Sequence, residues 1–354
     1  MKKMFEESNL SGITLKNRFF RSATYEKMAN EDGHLNNEII SIYKDLAKGG
    51  VGTIIGSYAY ILKEEQPSPK MMGIYDNSFI EDYKKLGYIA HSYGAKYIQQ
   101  IVYGGSQTTF NIGKRIILGP SAVENKNTKV IPVEMTKKDI NTIVKAFGSA
   151  AKICKEAGLD GVEIHGAHGY LLSQFLSPYY NRRTDEYGGS LENRARIIVE
   201  VYEEVRRQVG YDKNFVVGIK INSSDFDIEG ATFEECKYTC NELDKRGIDF
   251  VEVSGASSYK YSDVNYKESV FRKYAVELSK NLKSKVILVC KNRNINTMEE
   301  ILNNSKVEYF SIARPLVCEP DLINNWSSDN NYSAKCVYCG QCLSGENLKC
   351  KIRK

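Results

Sequence analysis

The chain has 354 residues, 42% of them hydrophobic, so it can bury a large core in one domain of barrel size. Its 49 basic and 44 acidic residues are mixed along the chain, without the dense basic block typical of nucleic-acid binding. No segment reaches ~18 uninterrupted apolar residues, and the first ten residues lack the apolar run of a signal peptide. We therefore expect a cytoplasmic protein with no nucleic-acid partner and no membrane anchor.

Short apolar, β-branched runs alternate along the chain with longer segments of helical periodicity. This alternation is typical of repeated βα units around a parallel sheet. Eight runs have the length and composition of strands, and they are Phe19–Thr24, Gly52–Tyr58, Tyr97–Val102, Gly161–His165, Val216–Ile221, Phe250–Val253, Val286–Val289 and Tyr309–Ala313.

Amphipathic segments between these runs are long enough to recross a sheet as helices. They include Asn37–Lys48, Asp82–Ser92, Lys137–Ala157, Leu191–Gln208, Phe233–Arg246 and Arg272–Leu282. Eight alternations favour an α/β fold closed as a (β/α)8 TIM barrel over an open doubly wound sheet, and no G-x-G-x-x-G motif follows an early strand. Residues 1–330 are predicted to form the barrel, and residues 331–354 a short cysteine-containing C-terminal tail.

Side chains that can bind or react follow most of the predicted strands. In a TIM barrel the active site lies at the C-terminal ends of the strands, so these side chains should meet there. They are Ser22, Thr24, Tyr25, Ser57, Gln100, His165, His168, Lys220, Ser254, Lys291, Arg293 and Arg314.

Two of the four histidines, His165 and His168, directly follow a predicted strand, and Tyr170 lies two residues further on. Two imidazoles at this spacing can donate hydrogen bonds to one oxygen atom and polarise a carbonyl group. Tyr170 is then a candidate proton donor. The alternatives are a structural histidine pair and half of an H-x-x-H metal site, which would need further ligands from elsewhere.

The segment from His165 to Pro178, followed by Asn181 to Arg196, resembles the signature of the old yellow enzyme family of flavin oxidoreductases. The resemblance extends from Leu15 to Pro315, which is nearly the whole chain. It implies an FMN-containing TIM barrel that takes hydride from NADH or NADPH and passes it to an enone or enoate. It also implies a homo-oligomer.

Carried over by position, the resemblance implies that His165 and His168 bind the substrate carbonyl oxygen and that Tyr170 protonates the adjacent carbon. Gln100 matches the glutamine that hydrogen-bonds the flavin pyrimidine ring. Lys220 matches the basic residue beside flavin N1 and the C2 carbonyl.

The resemblance also implies a cofactor-binding role for three loops. Ala313 and Arg314 match the Gly-Arg step around the FMN phosphate, and Lys291 and Arg293 lie where the family usually has Gly-Gly-x-Arg. Lys291 is expected to add positive charge at the phosphate. The loop under the flavin ring would consist of Ser22, Ala23, Thr24 and Tyr25, with backbone contributions from Ser57 and Tyr58.

Four of the nine cysteines crowd the C-terminus as Cys336, Cys339, Cys342 and Cys350. They resemble the cluster motif of longer relatives typified by 2,4-dienoyl-CoA reductase, although one spacing is shorter here. Three interpretations remain open, a [4Fe–4S] cluster, a zinc site and free thiols. The five scattered cysteines are predicted to be ordinary buried thiols.

The leading hypothesis is an NAD(P)H-dependent ene-reductase that uses FMN and acts on an α,β-unsaturated carbonyl compound. A second hypothesis keeps the fold and FMN but replaces the reaction with demethylation or nitro-group reduction. A third, from another class, is a flavin-binding electron-transfer subunit without turnover of its own. Tyr170 favours alkene reduction, because protonation at carbon requires a placed acid.

Overall fold

The structure is a computed structural model that describes residues 1–255 and 267–352. It contains a closed barrel of eight strands, all paired in parallel. In chain order the strands of the described residues are β1 (Ser8–Leu10), β2 (Ile13–Leu15), β3 (Phe19–Arg21), β4 (Thr53–Tyr60), β5 (Lys96–Val102), β6 (Leu118–Gly119), β7 (Val133–Glu134), β8 (Gly161–Gly166), β9 (Val216–Asn222), β10 (Phe250–Ser254), β11 (Lys285–Val289) and β12 (Val307–Ile312).

The barrel consists of β3, β4, β5, β8, β9, β10, β11 and β12, and β12 pairs with β3 to close it. The predicted (β/α)8 fold is therefore confirmed, with all eight predicted strands in their places. The first of them is shorter than predicted and ends at Arg21. Ser22 still donates its backbone N–H to the Ile312 carbonyl at 3.0 Å, and after it the chain bends into a loop in which the Thr24 hydroxyl donates to the Ser22 carbonyl at 3.0 Å.

The helices lie between the strands and cover the barrel. Five of the six predicted helices start at the predicted residue, and the other starts at Ile80, two residues before the predicted Asp82. Capping-box hydrogen bonds of Thr136 and Thr232 hold the first turns of the helices that begin at Lys137 and Phe233. In chain order they are α1 (Asn37–Lys48), α2 (Ile80–Ser92), α3 (Lys137–Glu156), α4 (Leu171–Leu176), α5 (Leu191–Val209), α6 (Phe233–Lys245), α7 (Arg272–Asn281), α8 (Ile295–Asn304), α9 (Arg314–Cys318) and α10 (Leu322–Ser328).

The interior of the barrel is apolar at one end and polar at the other. Alternate residues of a strand share a face, so Ile98 and Gln100 of β5 point inward together, as do Phe250 and Glu252 of β10. At the N-terminal end the hairpin of β1 and β2 closes the barrel, and the inner apolar cluster there contains Leu10, Ile13, Leu15, Phe20, Ile55, Ile98, Val216, Phe250, Ile287 and Tyr309. The polar side chains are thereby concentrated toward the C-terminal ends of the strands.

The C-terminal tail packs against the barrel. Ala334 is buried in the main apolar core, the Leu348 N–H donates to the Glu26 carbonyl at 2.9 Å, and the Lys27 ammonium donates to the Leu343 carbonyl at 2.7 Å. Residues 353–354 of the predicted tail lie outside the described residues. Within residues 1–255 and 267–352, no helix combines the length and apolarity that crossing a membrane would require.

Candidate active site

A buried network of charged and polar side chains lies at the C-terminal end of the barrel. The Lys220 ammonium is 2.9 Å from the Glu252 carboxylate and 3.8 Å from the Glu163 carboxylate, and it donates to the Ser22 hydroxyl at 3.0 Å. Gln100, on the strand next to Glu163, donates its amide N–H to that carboxyl group. The strand register places Lys220 directly beside both Glu252 and His165.

Two ionisable groups of this network, Lys220 and Glu252, stabilise each other's charged forms. Burial acts to lower the pKa of Lys220, but the charges of Glu252 and Glu163 outweigh it and raise that pKa. Burial likewise acts to raise the pKa of Glu252, and Lys220 reverses the direction. The pKa of Glu163 is raised by burial and by the neighbouring Glu252 charge. These directions favour the charged forms of Lys220 and Glu252 and the protonated form of Glu163.

His165, His168 and Tyr170 lie close together at the end of β8. The His165 ring centroid is 5.1 Å from that of His168 and 4.9 Å from that of Tyr170. A turn with positive φ at His168 (59°) and Gly169 (77°) returns the chain toward the barrel. The left-handed conformation at His168 is unusual for a non-glycine residue, and strain of this kind concentrates at functional sites.

Both histidines are neutral at pH 7. Burial, aided by the charges of His168 and Lys220, lowers the pKa of His165 well below its ordinary value, and burial lowers the pKa of His168 to about 4. The His165 Nδ1 atom accepts from the Ala167 N–H at 3.4 Å, which leaves Nε2 as the protonated nitrogen. His168 Nε2 lies 2.8 Å from the Ser254 hydroxyl, and the His168 backbone N–H donates to Asn222.

The two loops predicted to bind the flavin ring meet beside His165 and Tyr170. The Tyr58 ring is 5.4 Å from Tyr170 and 5.5 Å from Tyr25, centroid to centroid, and Ala23 packs on the inner apolar cluster. Burial raises the pKa of Tyr170, so its hydroxyl keeps its proton at neutral pH. The Ser57 N–H donates to a tyrosine hydroxyl at 2.8 Å, and its carbonyl accepts from Gln99 at 2.5 Å, so backbone groups of this position are used within the protein.

The loops after β11 and β12 bring the predicted phosphate-binding residues together. Cys290 (φ 83°) and Lys291 (φ 57°) adopt successive left-handed conformations, although neither is glycine. The backbone shape that glycines usually allow is therefore kept with side chains added. Asn292 holds the two loops, because its amide donates to the Leu288 carbonyl at 2.7 Å and the Ser311 carbonyl at 3.0 Å. Arg314 begins α9.

Four C-terminal cysteines line one small cavity together with Arg314, and these four are Cys336, Cys339, Cys342 and Cys350. A fifth cysteine, Cys318 at the end of α9, makes a hydrogen bond with Cys350 and so joins the group. No disulfide bond joins any of the nine cysteines, all of which lie among the described residues. In the described parts of the chain, no three His, Cys, Asp or Glu side chains are arranged to hold a metal ion, at the cysteines or at the histidine pair.

Sequence reasoning missed several buried residues of the site. Glu163 and Glu252 lie in apolar strand segments, where a carboxylate needs a buried partner, and Lys220 lies in a similar segment. A charged residue within an apolar strand segment was therefore the sequence feature that could have indicated these buried partners. Cys318 is buried, as predicted for an ordinary thiol, and in addition contacts Cys350, whereas Cys290 is only partly buried. Both positions depend on loop packing that spacing alone does not reveal.

Glu65, after β4, is another buried carboxyl group near Tyr170 that the sequence did not single out. It accepts from the Gly104 N–H at 2.9 Å, and its nearest cation, Arg115, is 3.8 Å away. Burial raises the pKa of Glu65 to about 8, and Arg115 only partly opposes the shift.

We expect this carboxyl group to make stability depend on pH. A raised pKa favours folding below the unfolded pKa, and the benefit is lost as pH rises toward 8. The free energy of unfolding should therefore fall by up to about 1.4 kcal/mol per pH unit between about pH 5 and 8. Glu65→Gln should flatten this slope in urea titrations, with Glu64→Gln as the control. An unchanged slope in Glu65→Gln would contradict the shift.

The structure thus combines a parallel eight-stranded barrel with a histidine pair, a buried lysine and a tyrosine at its C-terminal end. Residues 3–331 match the model of the NADH:flavin oxidoreductase / NADH oxidase family. The chain belongs to this family, whose members include the old yellow enzymes.

Individual relatives agree with this membership. The chain is 31% identical over 366 residues to an NADH oxidase of Thermoanaerobacter brockii, a match that covers 99% of the chain but 55% of the relative. The chain thus spans about half the length of this curated relative. Morphinone reductase has the same fold, with a TM-score of 0.81 at 23% identity over 96% of this chain and 94% of its own.

Two further solved structures share the fold. A 2-naphthoyl-CoA reductase in complex with 2-naphthoyl-CoA has a TM-score of 0.90 at 24% identity, covering 96% of this chain and 54% of its own. The old yellow enzyme homologue from Zymomonas mobilis has a TM-score of 0.81 at 22% identity, covering 95% of this chain and 96% of its own. At these identities the likeness supports the fold alone.

Proposed function

We propose that this chain is an FMN-dependent ene-reductase that uses NADH or NADPH to reduce a carbon–carbon double bond conjugated to a carbonyl group. The observation that supports it most directly is the grouping of His165, His168 and Tyr170, in which the His165 ring centroid lies 5.1 Å from that of His168 and 4.9 Å from that of Tyr170. Two neutral N–H donors and one protonated phenol in such a group suit a reaction in which an oxygen gains charge and a carbon gains a proton.

The residues present fit FMN as the resident cofactor. Lys220 has a buried ammonium group 3.8 Å from the Glu163 carboxyl group. Gln100 lies on β5, the strand that pairs with the strand of Glu163. The cations of Lys291, Arg293 and Arg314 lie 4.8–6.0 Å from the ring centroid of Tyr338, whose buried hydroxyl has no hydrogen-bond partner among the described residues. One end of the site thus suits a flavin ring and the other a phosphate group. Ser22, Ala23, Thr24, Tyr25, Ser57, Tyr58 and Ala313 would complete the binding loops.

Held by Lys220, Gln100 and the cations of the phosphate loops, FMN would supply the hydride chemistry between a nicotinamide and the substrate carbon β to the carbonyl. His165 and His168 would donate hydrogen bonds to the carbonyl oxygen, where negative charge develops. The lowered pKa values keep both imidazole rings neutral near pH 7. Each ring therefore has one N–H group that can donate a hydrogen bond. Tyr170 would give its proton to the α carbon, which balances the added hydride and completes the reduction.

The pairing of Lys220 with Glu252 bears on the same site. A lysine whose charge is held by a buried carboxylate stays protonated, so its ammonium would remain available to a flavin ring in every state of the site. The relative's name, NADH oxidase, supports NADH as the reductant, with NADPH as the alternative. For the C-terminal cysteines we derive no step, because no metal-holding geometry occurs among the described residues.

The test compares two electron acceptors and one electron donor. Purified protein with FMN and NADH or NADPH under anaerobic conditions is expected to convert 2-cyclohexenone to cyclohexanone, detected by gas chromatography. Nitrobenzene, assayed in parallel, represents nitro reduction. Trimethylamine, which demethylation would oxidise, is assayed without nicotinamide and with ferricyanide as the electron acceptor. Faster turnover of either one than of several enones and enoates would contradict the proposal, and NAD(P)H consumption without any reduced alkene would also contradict it.

A further inference from the structure

The tail contains one tyrosine, Tyr338, whose environment is unlike that of an ordinary core residue. Its ring centroid is 4.8 Å from the Arg314 guanidinium carbon, 5.5 Å from the Lys291 ammonium and 6.0 Å from the Arg293 guanidinium carbon. Three cations from two different strand ends therefore converge on one aromatic ring. The ring comes from the tail, between Cys336 and Cys339, and not from the barrel itself.

The Tyr338 hydroxyl is buried and makes no hydrogen bond within the part of the chain that the structure describes. A buried hydroxyl is almost always paired, because leaving it unpaired costs the free energy of removing it from water. The backbone at Tyr338 is left-handed, with φ of 56°, which a bulky residue adopts only where the surrounding structure holds it. The unpaired hydroxyl points to a hydrogen-bond partner that residues 1–255 and 267–352 do not supply.

The charges around the ring indicate what kind of partner fits. Arg293 has a carboxylate, Glu268, at 3.8 Å, whereas no ion pair of Arg314 occurs among residues 1–255 and 267–352. Converging cations repel one another at close range, and an anion between them would remove this repulsion. Burial raises the pKa of Tyr338, so its hydroxyl is a proton donor at neutral pH. Cationic groups and a phenol donor together suit a phosphate monoester.

We propose that Tyr338 closes the phosphate-binding end of the flavin site and donates its hydroxyl hydrogen bond to the FMN phosphate. This inference rests on the proposed function, since it takes the phosphate to be that of FMN. The C-terminal tail is then part of the cofactor site, beyond whatever its cysteines do. Lys291, Arg293 and Arg314 bind the phosphate from the barrel, and Tyr338 binds it from the tail.

The test separates the phosphate from the rest of the flavin. Protein freed of flavin is titrated with FMN and with riboflavin, which lacks the phosphate, and flavin fluorescence gives each Kd. Tyr338→Phe is expected to weaken FMN binding by about tenfold, as for loss of one hydrogen bond to a charged group, and to change riboflavin binding less than twofold. Tyr332→Phe, a tail tyrosine whose hydroxyl donates to Glu319, is the matched control and should leave the ratio of the two Kd values unchanged.

The possible results distinguish the role of Tyr338 from the binding of FMN by the chain. Equal weakening of FMN and riboflavin in Tyr338→Phe, or no weakening of FMN, would overturn the role of Tyr338 while leaving FMN binding by the chain intact. A wild-type protein that binds neither flavin would overturn the proposed function and this inference together. Misfolding is checked by thermal unfolding without flavin, where Tyr338→Phe should be at least as stable as wild type, because it removes an unpaired buried hydroxyl.

Discussion

Replacing Tyr170 with phenylalanine is expected to lower the rate of 2-cyclohexenone reduction by about 10²- to 10⁴-fold, the usual contribution of a placed acid. The substitution removes one oxygen from a ring that lies 4.9 Å from His165 and 5.4 Å from Tyr58, centroid to centroid. Oxidation of NADH with ferricyanide should change little, because that acceptor needs no proton at carbon. Steady-state rates with both acceptors make the comparison.

Tyr187→Phe is the matched control for this substitution. The Tyr187 hydroxyl donates to Glu200, on α5, away from the histidine pair. Its loss should leave both rates close to wild type. If Tyr170→Phe slows ferricyanide reduction as much as cyclohexenone reduction, Tyr170 acts on the flavin or on folding and is not the proton donor.

Replacing Lys220 with methionine is expected to lower the free energy of unfolding by about 3–5 kcal/mol, the usual cost of breaking a buried ion pair. The Glu252 carboxylate, which is fully buried and 2.9 Å from the Lys220 ammonium, would lose its counter-charge. Urea unfolding of the flavin-free protein measures the loss. The double variant Lys220→Met with Glu252→Gln should recover most of it, because the unpaired charge is gone.

Two results would contradict this description of the barrel interior. One is a loss for Lys220→Met similar to that of Lys84→Met, a control on an exposed ion pair that should cost under about 1 kcal/mol. The other is a double variant no more stable than Lys220→Met alone, which would mean that Glu252 does not depend on the lysine.

The sequence predicted the repeating part of this protein well. Strand and helix periodicity indicated all eight barrel strands, and α1 begins and ends at the predicted Asn37 and Lys48. The hairpin of β1 and β2 was not predicted, because three-residue strands carry too little periodicity. It nevertheless closes one end of the barrel and so forces the polar side chains toward the other.

Only part of the candidate site was predicted from the sequence, because some of its contacts are local and others join distant segments. His165, His168 and Tyr170 lie within six residues, so one strand and one turn bring them together, and the sequence reveals this. The Lys220–Glu252 pair depends on the register of two strands, and the contact of Tyr338 with Arg314 depends on how the tail folds back. Such contacts between distant segments leave no local pattern. The roles of the individual site residues remain proposals.

The most direct measurement is an anaerobic absorbance titration of the purified protein. After reconstitution with FMN, we expect flavin absorbance near ~450 nm that bleaches on addition of NADH or NADPH and returns on addition of 2-cyclohexenone. That cycle would show nicotinamide and enone reacting at one flavin. A protein that stays colourless after reconstitution, or a bleached spectrum that no enone or enoate restores, would contradict an FMN-dependent ene-reductase.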